Sequence, residues 1–111
     1  MVRNMALEEE VVRQFESFGM PTTGVEAASG SSDVGNVSYR CPAIQPLLAI
    51  TDEDYALHTA AFRDATALPQ AEQAMEKGAC ILALMALKIF NDEAFRNRVY
   101  AEFQEQVEKR R

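Results

Sequence analysis

Residues 79–90, ACILALMALKIF, carry one charge in twelve positions, so a helix built from them is apolar on nearly every side. Such a helix has to be packed from several directions at once. The chain has only 111 residues, about one small domain, and a domain of that size buries only about two-thirds of its unfolded surface around a single core. The apolar stretch therefore asks for more cover than its own sequence supplies. Either the chain oligomerises, or it is a segment of a larger fold.

The rest of the chain organises itself around this stretch. Leu7, Val11, Phe15 and Phe18 follow helical spacing within residues 2–18, with Glu8, Glu9, Glu10 and Arg13 on other faces. Gly19 followed by Pro21 supplies the stop. Residues 22–36, TTGVEAASGSSDVGN, are rich in Gly, Ser and Thr and read as a loop. Two β-leaning segments follow at 37–41 and 46–50, separated by Pro42 and Pro46, the second nearly all apolar. Residues 51–67 form a polar loop with a short helical turn and hold the single histidine, His58. Pro69 suits a helix N1 position, and the helix it opens runs from Gln70 to about Phe90. A last helix starts at Asn91 or Asp92 and repeats Phe95, Val99, Phe103 and Val107 at intervals of four. The predicted architecture is α/β: one partial domain over 1–111, with a partial sheet of about two strands covered by three main helices. Two strands make a poor sheet unaided, which again points to missing structure.

Charge and cysteine content narrow the function. Seventeen acidic against eleven basic residues give a net charge of -6, a field that repels phosphate backbones and anionic lipid. Neither nucleic acid nor membrane is expected as a partner. The basic finish Lys109-Arg110-Arg111 suits the negative end of a helix dipole without any ligand. Cys41 and Cys80 form no metal or disulfide motif, which fits a reducing cytoplasm, and with no second histidine to activate them they read as packed thiols. The first residues lack a signal-peptide apolar stretch, and the longest apolar run, 79–87, is too short to span a bilayer. Asp52, Glu53 and Asp54 lack calcium-loop spacing and read as solvated.

Two stretches carry a resemblance: GSSDVGNVSYRCPAIQPLLAI at 30–50, and ALHTAAF at 56–62. Together they resemble the C-terminal signature of the aminoacylase-like zinc peptidase family, in its aminobenzoyl-glutamate hydrolase and β-alanyl-lysine dipeptidase branch. In that branch a Gly-Ser-Ser/Thr-Asp-x-Gly-Asn/Asp-Val-Ser loop leads into a strand, a proline, a second strand and a His-Thr or His-Ser pair. Phe18-Gly19-Met20 is similar to the turn that precedes the loop, and two closing helices follow the histidine. The likeness covers essentially all 111 residues, as the last portion of a full family chain. A chain that starts at Met1 inside such sequence points to a truncated gene, a split gene or an alternative start.

The resemblance implies that His58 ligates one zinc ion of a two-metal centre. It also implies that Gly30, Ser31, Ser32 and Asn36 face the substrate, with Asp33 bracing the loop. The family's remaining ligands and its glutamate general base lie upstream; this sequence has no second histidine, no His-x-Asp segment and no matching glutamate pair. A catalytic zinc needs several protein ligands and an open position for water. The expectation is thus a C-terminal piece of a cytoplasmic zinc-dependent amidohydrolase or dipeptidase. It would act on a small peptide or N-acyl amino acid, be inactive alone, and pair with a complementary N-terminal chain or with itself. The alternative is a non-catalytic interaction module that pairs helices with a partner, using the Phe95, Val99, Phe103, Val107 stripe.

Overall fold

The computed structural model describes residues 1–23 and 31–110. Five helices occur among them: α1 (Met5–Ser17), α2 (Val34–Val37), α3 (Ala60–Ala65), α4 (Pro69–Asn91) and α5 (Glu93–Glu108). α1, α4 and α5 pack against one another. Ala6, Leu7, Val11, Ile81, Met85, Phe95 and Val99 form their shared core, with Phe15, Phe18 and Ile89 at its margin.

Local chemistry sets the ends of these helices. Asn4 caps α1, its side-chain oxygen accepting from the Leu7 N–H at 3.1 Å while its Nδ2 donates to the Val99 carbonyl at 2.8 Å. One side chain thus ends a helix and ties it to α5. Glu102 of α5 accepts a second free amide of the first turn, that of Ala6, at 2.9 Å. At the other end Gly19 adopts φ +68, and the Gly19 and Met20 amides donate back to the Glu16 and Phe15 carbonyls. This is a Schellman closure, which glycine enters without a steric penalty. Pro69 stands in the first turn of α4, where its missing N–H is not needed. The α4–α5 corner turns on Asp92: Oδ1 accepts from the Phe95 amide at 2.8 Å and Oδ2 from Lys88 Nζ at 2.7 Å. Arg96 closes the end of α4 by donating to the Ile89 and Phe90 carbonyls.

The expected α/β architecture is overturned, because the described residues contain no strand. Val37 ends α2, and the amides of Ser38, Arg40 and Cys41 bond back to the Val34 and Val37 carbonyls in successive helical turns. Ser38 explains part of this. Its hydroxyl donates to the Gly35 carbonyl at 2.6 Å, a local bond that competes with a sheet ladder. Residues 46–50 have no helix or ladder and run past α4, where Leu48 lies over Gly78; a Cβ there would come within 3.3 Å of Leu48 Cδ2. β-leaning composition makes a strand only where a neighbour completes the ladder, and none of the described segments does.

The apolar stretch is left half covered. Ile81 and Met85 enter the core, whereas Leu82, Leu87 and Phe90 keep 70, 55 and 78% of their surface exposed, and Met75, a turn before the stretch, keeps 67%. No helix among the described residues is long and apolar enough to cross a membrane.

Candidate functional site

Ser31, Ser32, Asp33 and Asn36 gather at the start of α2, all exposed. Ser32 Oγ accepts from the Val34 amide at 3.2 Å, and the Ser32 carbonyl accepts from Gly35 at 3.0 Å. Asp33 occupies the N-cap position, yet its carboxylate makes no capping bond; its carbonyl accepts from the Asn36 and Val37 amides instead. The loop is therefore held by main-chain bonds and the Ser32 hydroxyl, which leaves the Ser31 and Asn36 side chains presented to solvent. Gly30 lies outside the described residues.

His58 precedes α3 and is the one non-glycine residue with positive φ, +64, among the described residues. The left-handed region costs an ordinary L-residue roughly 1–2 kcal/mol, and such outliers gather at functional positions. Its neighbour supplies the restraint. Thr59 caps α3 by accepting from the Phe62 amide at 3.2 Å, and its hydroxyl donates to the Ala56 carbonyl at 2.7 Å. The His-Thr pair thus divides its labour: Thr59 builds the turn, and His58 is displayed from it, exposed.

The two groups of residues stand on separate short helices beside the α1–α4–α5 core. No three His, Cys, Asp or Glu side chains converge as a metal-binding group among the described residues. Asp52, Glu53 and Asp54 are exposed. Cys41 and Cys80 are free thiols, and both are exposed, contrary to the packed position expected of them. Two surface grooves, of 280 and 390 Å³, lie along α5; one includes Lys88 and Phe95, the other Tyr39 and Phe103. Neither contains His58, Ser31, Ser32, Asp33 or Asn36.

Several residues that sequence reasoning passed over prove to hold the molecule together. Ser38 is 1% exposed and accepts from the Val2 amide at 2.8 Å. Nothing near Ser38 in sequence signals a partner 36 positions away. Asn4 was legible in principle, as an N-cap residue ahead of an apolar-periodic run. Glu10 is buried and accepts from Arg13 at 2.9 Å and Gln14 at 2.8 Å. Burial pushes its carboxyl up, but the Gln14 and Arg13 hydrogen bonds, with the Arg13 and Lys88 charges, outweigh burial and hold it below the usual carboxylate range.

No protein-family model matches the sequence, and no curated protein matches it.

Proposed function

We propose that this chain is the C-terminal part of a zinc-dependent amidohydrolase or dipeptidase of the cytoplasm, acting on N-acyl amino acids or small dipeptides and inactive by itself. The observation that supports the reading is His58: an exposed imidazole on strained backbone, fixed by the cap of α3, inside a motif that resembles the family's metal-ligand segment. One imidazole does not make a catalytic zinc site, so the described residues alone do not fit the metal and no hydrolytic step is assigned to them. In the completed enzyme His58 contributes one neutral nitrogen ligand, while Ser31, Ser32 and Asn36 supply hydrogen-bonding atoms on the substrate side. The remaining ligands and the general base come from further polypeptide.

The core that α1, α4 and α5 form without His58 favours a second reading: an interaction module that has kept the motif by descent. Sequencing the DNA upstream of the Met1 codon separates the two. The hydrolase reading expects a His-x-Asp segment and paired glutamates there, and an unrelated sequence would sink it. In solution, calorimetric zinc titration of the chain and of His58→Ala should show weak or no binding, with no turnover of an N-acyl amino acid or a β-alanyl dipeptide. Tight binding that depends on His58, accompanied by turnover, would mean that the chain is an enzyme unaided.

A further inference from the structure

The exposed side of α4 has a pattern along its length. Its first turns present Glu72 and Glu76; residues 79–87 then present only uncharged side chains to solvent, among them Ala83 and Leu82; and Phe90 closes the row. Beyond Phe90 sits the guanidinium of Arg96, anchored 2.8 Å from the Ile89 carbonyl and 3.3 Å from that of Phe90. The face is acidic at one end and apolar over about 18 Å in the middle; at the other end it meets the Arg96 guanidinium, with Glu93 exposed one turn before it and Asp92 paired with Lys88.

We infer that this face pairs with the same face of a second copy, antiparallel, about a two-fold axis near Ala83. A surface that pairs with itself about a two-fold must be self-complementary. Head to tail, Glu76 of one copy lies beside Phe90 of the other, and Glu72 lies beside Arg96, so each acidic end meets a cation. A parallel pairing would bring four glutamates together. The antiparallel arrangement also opposes the two helix dipoles. Ala79, Ala83 and Ala86 lie between the larger side chains, so the helix axes approach closely at the centre.

The area suffices for the purpose. At about 150–250 Å² per fully exposed large side chain, the exposed fractions of Met75, Leu82, Leu87 and Phe90 leave roughly 500 Å² of apolar surface. The alanines and the half-exposed Leu84 between them bring the face toward the about 800 Å² per partner of a standard specific interface. That row is already at the upper end of the largest patch on an ordinary monomer, about 300–600 Å². A net charge of -6 per copy opposes association in general, and the uncharged centre of this face is where that repulsion is weakest. The pairing is argued from the α4 face alone and uses neither His58 nor the residues around α2.

Sedimentation velocity at about 100 µM, where a dimer with micromolar Kd is largely assembled, should give twice the 12.3 kDa mass of the chain. Ala83→Glu should give a monomer with unchanged helical circular dichroism. Arg96→Glu alone should weaken the dimer about tenfold, because each two-fold contact loses its cation twice. Combining it with Glu72→Arg and Glu76→Arg should restore the affinity. A wild-type chain that stays monomeric at that concentration overturns the proposal, as does a dimer that survives Ala83→Glu. Failure of the charge swap to rescue Arg96→Glu rejects the antiparallel arrangement.

Discussion

Ser38 and Glu10 show how much of this fold rests on buried polar side chains. Ser38 joins the Val2 amide to the Gly35 carbonyl through one hydroxyl. Ser38→Ala leaves a buried N–H with no acceptor, so the variant should lose about 1–3 kcal/mol, read as a lower urea midpoint with an unchanged slope. Glu10 sets a pH dependence. Its folded carboxyl lies below the unfolded value, so the unfolded chain binds more protons in the acid range and stability rises with pH there. The contribution is complete above the unfolded value of about 4.3 and drains away as pH falls through the lower folded one. Urea midpoints measured from pH 7 down to pH 3 should therefore fall, and Glu10→Gln should flatten that fall. Asp92, lowered by Lys88 and by the Phe95 amide, adds a slope of the same sign that Glu10→Gln leaves in place.

At the scale of elements, α1, α4 and α5 were legible because their signals are local: a period of 3.6, a glycine stop, a proline start and an aspartate cap. The spacing of Leu7, Val11, Phe95 and Val99 marked four residues of the actual core. The two strands expected at 37–41 and 46–50 are absent from the described residues, because Val, Tyr, Leu and Ile record only a preference, and a ladder needs a partner that composition does not name. Ser38 and Leu48 instead attach their segments to the amino-terminal residues and to α4. Neighbouring positions on α4 should separate sharply. Ile81, 3% exposed and inside the core, should cost about 2–5 kcal/mol when replaced by alanine. Leu82→Ala, at 70% exposure, should change the unfolding free energy of the Ala83→Glu monomer by no more than about 0.5 kcal/mol.

For the whole molecule, the candidate site was legible as a list of residues and not as a place. Ser31, Ser32, Asp33 and Asn36 are near one another because they are near in sequence. Their relation to His58 depends on how two short helices are carried, and no periodic pattern encodes that. The apolar excess of residues 79–90 was legible as a demand for cover; which side stays open emerged only from the packing of α1 and α5 on the other. The bonds from Asn4 to Val99 and from Ala6 to Glu102 join residues 95 and 96 positions apart. During synthesis the amino-terminal residues of α1 thus wait, their amides and apolar face turned to water, until the segment carrying Val99 and Glu102 has cleared the ribosomal exit. The interval in which a holdase chaperone has most to grip is set by the time taken to translate everything in between.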